Sequence, residues 1–271
     1  MSSSYQYPFN PIIWPAAPID HTGDNNLAYY AIETTQRYLY GTRGITWDGK
    51  VFKYAHSLGT IYSGFGAFNG AGADVSTLIN SNIAAAIVAG DRHVTITVAG
   101  TEGYAGDGIV AEDELAGAQI VVGHGASVAE TRTIIGNDAV ATGGGTSLCY
   151  VDLPFAVAHA IGFSEVPLNP YRYMIPTSEV ASVMGVAQRN VTTGYNFWIQ
   201  TWGPCWVIPG GGDATPGNSA NDRTVCFVGD GSINGVTALT LENGYQTAGF
   251  IIDTTEVGTG CMPLVMLQIS I

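Results

Sequence analysis

The residues best suited to chemistry are the acidic run Glu112-Asp113-Glu114, with Asp107 just upstream, and the segment Val121 to Ser127, in which His124 sits between two glycines. Paired carboxylates cleave glycosides when they face each other across a cleft at roughly 5–10 Å, a spacing that neighbours on one loop seldom meet. The same oxygens would enter a calcium site if facing loops supplied carbonyls, because that ion takes about six to eight oxygen ligands; the EF-hand register is absent, so a solvated loop is the simpler reading. A nucleophile elbow needs the order Gly-x-Ser-x-Gly, whereas Ser127 follows the second glycine by two positions. A β-fold hydrolase using His124 or Glu112–Glu114 therefore ranks last among the functions the sequence allows.

Other reactive groups are scattered. His21, His56, His93, His124 and His159 show none of the close pairing that metal ligation usually requires. Asp20-His21 with Asp24 reads equally well as a cation site or a polar turn. The glycine-rich segments Gly210–Asp213 and Gly229–Gly231 lack the Lys-Ser/Thr that completes a phosphate-binding loop. No catalytic residue, cofactor or metal is assigned on these grounds. Cys149, Cys205, Cys226 and Cys261 are widely spaced, which suggests reduced, buried thiols in a chain made in a cytoplasm. A bridge formed after release stays open, since strands bring distant cysteines together.

Composition excludes more than it assigns. Charged residues make up 11% of the 271 positions, against roughly a quarter in a typical soluble protein. The 36 glycines and scarce Lys and Glu favour turns and strands over long helices. A net charge of −13, with Lys50 and Lys53 the only lysines, opposes direct binding to a phosphate backbone. No apolar run reaches transmembrane length and no secretory segment follows Met1, so neither a membrane nor export is expected.

The elements that must carry these residues read as mainly β: antiparallel sandwich or barrel domains with one or two short helices and an extended N-terminal arm. Pro8, Pro11, Pro15 and Pro18 keep residues 1 to about 27 from regular pairing. The arm's aromatics Tyr5, Phe9 and Trp14 would rest on a neighbouring subunit or on their own domain. Ala28–Tyr40 fits a short helix or a strand. Asp48-Gly49 predicts a two-residue hairpin turn between strands in Ile45–Tyr54. A helix is expected within Ala71–Ala89, through Asn82–Ile87 and closed by Gly90. Strands are expected at 92–98, 119–122, 131–135, 147–153, 195–202, 205–208, 224–228, 245–252 and 263–270. The divisions are an arm and lead-in at 1–40, a β-rich domain at 41–165 and a second at 166–271, with one continuous domain as the alternative.

The densest aromatic stretch is Tyr195–Trp206, where alternation places Trp198, Gln200 and Trp202 opposite Phe197, Ile199 and Thr201. Gly203-Pro204 should break the ladder, because proline has no N–H to donate. Trp198, Trp202 and Trp206 suit a packed core or a subunit interface better than a sugar-stacking platform. With Tyr5, Phe9 and Trp14 they are the candidate packing and interface residues.

The blocks Gly41–Tyr54 (with Asp48-Gly49-Lys50-Val51-Phe52 at its centre), Gly106–Gly117, Ile134–Asn137, Asn169–Tyr171 and Tyr195–Pro204 together resemble virion structural proteins of tailed bacteriophages, many of them environmental. They occur in order and span most of the chain after residue 40. The resemblance implies a non-enzymatic particle component of the head-decoration kind, located in the virion after synthesis in the host cytoplasm. Its expected partners are other copies of itself, in a symmetric homo-oligomer such as a trimer, and the major capsid protein or other virion proteins. A tail or fibre module that binds host glycans is the alternative.

Overall fold

A computed structural model describes residues 29–46, 48–70, 79–123, 128–178, 180–210, 216, 223–236, 245–253 and 262–270. The chain is nearly all β, with antiparallel sheets that form a half-barrel and a nearly closed barrel. No helix among the described residues is long and apolar enough to cross a membrane.

In chain order the strands are β1 (Ile32–Glu33), β2 (Arg43–Ile45), β3 (Val51–His56), β4 (Gly66–Asn69), β5 (Ile79–Asn82), β6 (His93–Val98), β7 (Gln119–Val122), β8 (Glu130–Asn137) and β9 (Gly145–Val151). They continue with β10 (Phe163–Val166), β11 (Met174–Ile175), β12 (Val183–Ala187), β13 (Asn196–Trp206), β14 (Thr224–Phe227), β15 (Ile233–Gly235), β16 (Thr247–Asp253) and β17 (Leu264–Gln268). The chain divides into two compact units, one made of residues 1–68 with 175–271 and the other of residues 69–174. The first unit is thus assembled from both flanks of the second. Residue 165, where the composition changes, lies inside β10.

In the second unit the sheet runs β5-β10-β7-β8-β9-β6. Just past β5, Ile83 bridges Ile96 of β6, and the Ala84 N–H donates to Thr95 O at 2.8 Å, so the sheet nearly closes on itself. Alternation fills the interior: Val94, Ile96 and Val98 are buried while His93 and Thr97 of the same strand face solvent. Each such aliphatic side chain stabilises the fold by about 2 kcal/mol when fully buried.

In the first unit the sheet order is β4-β12-β13-β17-β16-β14-β15, with β3 also pairing β13. Its concave side holds one apolar cluster that includes Phe68, Val186, Cys205, Phe227, Ile251 and Leu267. β13 is the spine. It pairs with β1, β3, β12 and β17, and Trp202 is in register with both Val51 and Gln268.

Three local expectations are corrected. Asn82–Ile87 is not helical: Asn82 ends β5, Ile83 bridges Ile96, and Ile87 exchanges both backbone hydrogen bonds with His159 at 2.9 and 3.0 Å. Long-range pairing overrides the modest helix preference of the alanines. Residues 71–78 of that expected helix lie outside the described residues.

Gly203-Pro204 does not end the ladder either. β13 continues, with Gly203 opposite Leu267, Pro204 opposite Met266 and Trp206 opposite Leu264. The irregularity falls instead between Gln200 and Trp202 in the pairing with β3. There the buried Gln200 amide lies 3.0–3.3 Å from the carbonyls of Trp202, Gly203 and Pro204, which supplies donors the bulged backbone lacks. Gly203 sits at φ 94°, with Lys50 Cα 3.1 Å from where a Cβ would be.

The β2–β3 hairpin forms, but its turn is longer than two residues. Gly49 N–H donates to Thr46 O at 3.0 Å and Thr46 N–H to Lys50 O at 2.9 Å, the pattern of a turn followed by a left-handed glycine. Gly49 supplies that conformation at φ 83°.

Candidate functional site

The three tryptophans of β13 fall into three environments. Trp198 is 5% exposed, Trp202 is half-buried and Trp206 is 43% exposed. The cause is what covers each end of the strand. Trp198 is in register with Tyr54 of β3, and their rings meet edge to face at 5.2 Å. Tyr29 lies edge-on to Trp198 at 5.3 Å and stacks on Phe52 at 4.8 Å, while Tyr38 closes on Trp198 at 5.4 Å. Gly44 leaves room for Tyr29, whose ring would stand 2.4 Å from any Cβ there. Polar tips are satisfied at the margin of this cluster: the Tyr40 hydroxyl donates to Asn196 Oδ1 at 2.8 Å, and the Arg37 N–H donates to the Tyr54 hydroxyl at 3.2 Å. Burial pushes the Tyr29 and Tyr54 hydroxyls up to about 12, so both stay protonated and neutral at any physiological pH.

The other end of β13 is different. Pro204 and Trp206 alternate with the buried Gly203, Cys205 and Val207, so they face away from the concave core. Pro204 is opposite Met266 of β17, which is opposite Phe250 of β16. Trp206 is opposite Leu264 in the same way. Phe250 and Ile252 are 44% and 45% exposed, and Leu264 and Met266 are partly exposed. The outer surface of an antiparallel sheet normally carries polar residues. Here Pro204, Met266 and Phe250 form an apolar row beside Trp206 and Leu264, with exposed Thr224 opposite Phe250 and exposed Asp253 opposite Leu264.

The acidic and histidine candidates are placed as follows. Glu114 Oε2 accepts the Ala111 N–H at 2.6 Å, and its other oxygen accepts the Tyr173 hydroxyl. Asp107 accepts the Ile109 N–H at 3.0 Å. These carboxylates hold their own loops and neighbours. Asp113 occupies a left-handed conformation at φ 58°, one that Asp tolerates through its short polar side chain. His124 and Ser127 lie outside the described residues, as do Tyr5, Phe9, Trp14, His21 and Cys261. Cys149, Cys205 and Cys226 are buried thiols. Among the described residues no three His, Cys, Asp or Glu side chains gather as a metal-ligand set.

One cluster is not visible in the sequence. Glu130 on β8 is buried, and its carboxylate accepts from Ala156 N–H at 3.0 Å, from Val157 N–H at 2.9 Å, from Arg132 and from His159 Nε2 at 3.1 Å. Arg132 also donates to Pro154 O at 2.9 Å and lies 5.3 Å above the Phe155 ring. Burial alone would raise the Glu130 carboxyl. The two backbone donors, His159 and Arg132 more than offset it and hold the group down at about 2. With both oxygens engaged, Glu130 acts as a clip that fastens residues 154–159 to β8. Its only sequence trace is Glu130 and Arg132 at i and i+2, on one face of a strand.

No family model, curated protein or solved structure matches this chain.

Proposed function

We propose that this chain is a non-catalytic structural component of a tailed-bacteriophage virion, a homo-oligomeric protein that decorates and reinforces the head in contact with the major capsid protein or other virion proteins. The observation that carries this reading is the outward row of Pro204, Trp206, Phe250, Ile252 and Met266. Apolar sheet surface in contact with water is a cost to a free monomer and a source of binding energy to an assembled one. Low surface charge and the ordered blocks from Gly41 to Pro204 support the same reading. The mechanism is mechanical. Many modest contacts repeated by symmetry give strong attachment and resist outward pressure on the shell.

The test combines sedimentation of the purified chain with its occupancy on purified phage heads. Self-association and head binding, both weakened by Trp206→Ser with Phe250→Ser, are the expected results. A chain that stays monomeric at every concentration and ignores the particles would overturn the reading.

A further inference from the structure

We infer that Arg43 and Lys53, facing each other across the β2–β3 ladder, form a site for a dianionic phosphoryl group. The inference is independent of the assembly reading above and concerns a different part of the first unit.

Register creates the pair. Arg43 is directly opposite Lys53. Thr46 N–H donates to Lys50 O at 2.9 Å and Tyr54 N–H to Thr42 O at 2.9 Å, so residues 46 with 50 and 42 with 54 are hydrogen-bonded rungs. Arg43 and Lys53 fall on the alternate, non-bonded kind, where Cα atoms approach to about 4.5 Å and side chains are closest. Like charges placed there oppose strand pairing.

The chain does not relieve this repulsion itself. It has 22 Asp and Glu against 9 Lys and Arg, so carboxylate partners are plentiful. Lys50 pairs with Asp48, Arg37 with Glu33 and Arg132 with Glu130. Neither Arg43 nor Lys53 forms an ion pair with a described residue. Arg43 Nε is sealed from solvent without an acceptor. A buried donor left unmade is costly, which marks this nitrogen as one half of an absent contact. Burial and the Arg43 charge both push the Lys53 ammonium down, and no acid offsets them.

Edge protection does not account for the arrangement. Charged side chains often guard a sheet edge, and β2 pairs only with β3. Lys53 is not on that edge, because β3 lies between β2 and β13. Its other cross-strand neighbour is the fully buried Ile199, and Ile45 and Val51 form the next pair on the same face. Such apolar surroundings strengthen an ionic hydrogen bond relative to water.

Charge and shape select the ligand. A guanidinium presents Nε–H and one Nη–H along a single edge that matches two oxygens of an oxyanion, and the ammonium adds a compact third contact. Together they carry two positive charges. A phosphate dianion or phosphate monoester neutralises both, whereas a carboxylate or phosphodiester neutralises one. The partial exposure of both side chains leaves the outer side of the ligand open. The net charge of −13 repels an extended phosphate backbone, but a small ion feels mainly the cations it touches, because charges beyond about 8 Å are screened.

Calorimetric titration of the chain with inorganic phosphate tests this, at mildly alkaline pH and with ionic strength held constant by chloride. Saturable binding at one site is expected, with acetate and dimethyl phosphate at least about tenfold weaker. Arg43→Gln and Lys53→Met should each weaken phosphate binding by about tenfold, the loss of one charge-assisted contact. Lys53→Met should also raise the melting temperature in chloride alone, since it removes one of two repelling charges, and it carries the test if Arg43→Gln fails to fold. Binding of glycerol phosphate alongside phosphate assigns the site to a monoester, and binding of phosphate alone to the free ion. Absence of saturable binding, acetate as effective as phosphate, or phosphate binding unchanged in Lys53→Met defeats the inference.

Discussion

Trp198 and Trp206 stand at opposite ends of one strand, the first enclosed by Tyr29, Tyr38 and Tyr54 and the second open to solvent. Identical side chains on one element therefore carry different duties, and substitution separates them. Trp198→Ala should lower unfolding free energy by about 3–5 kcal/mol through lost burial and an unfilled cavity. Trp206→Ala should change it by about 0.5 kcal/mol or less while weakening association. Urea unfolding of the two variants alongside sedimentation measures both effects.

Acid should loosen the second unit through Glu130. Its folded-state pKa of about 2 lies below the ordinary 4.5, so its stabilising contribution is complete above the ordinary value and is lost as pH falls toward 2. Glu130→Gln should flatten the decline in stability across that window. At neutral pH it should cost about 1–3 kcal/mol, because the partly exposed Arg132 loses its counter-charge while keeping its bonds to Pro154 O and Thr131 O. Unfolding curves taken at stepped pH for the two proteins provide the check.

Gly249 tolerates no side chain. It has φ 144°, and a Cβ there would stand 1.9 Å from Met266 O across the β16–β17 ladder. Gly249→Ala should force the strands apart and lower the melting temperature by several degrees, the effect of about 1–3 kcal/mol of backbone strain. The same substitution at Gly90, where nothing lies within 4 Å, carries conformational strain alone and should cost less. Thermal melts of the pair compare the two terms.

Thiol reactivity should report unfolding. Burial pushes Cys149 and Cys205 up to about 12, so neither forms the reactive thiolate near neutral pH. A thiol reagent should leave both unmodified in the native chain and label both in denaturant. Rapid native labelling of either, located by peptide mapping, would contradict the buried placement.

How much of this was legible in the sequence depends on the range of the interaction. Thr46, Asp48 and Gly49 act within a few residues, and the β2–β3 hairpin they shape was readable apart from the length of its turn. The alternation in Arg92–Val98 marked β6 correctly because the period-two pattern is local. Asn82–Ile87 misled, since its partners Ile96 and His159 are remote in the chain and their hydrogen bonds outweigh propensity. Gly203-Pro204 misled for a similar reason: the donors that sustain the bulge come from Gln200, whose side-chain amide looks incidental in a linear reading.

The sequence by itself determined that the chain is built of antiparallel strands, that it is acidic and sparsely charged, and that its aromatics concentrate along Tyr195–Trp206. Composition and alternation are properties of near neighbours, and they survive in one dimension. Tertiary structure alone decided which tryptophan is sealed and which is bare, that residues 1–68 and 175–271 form one unit although 69–174 separate them in the chain, and that Glu130, Arg132 and His159 meet. Those outcomes depend on which distant strands pair and in what register, and register moves a side chain from one face of a sheet to the other with a slip of a single residue.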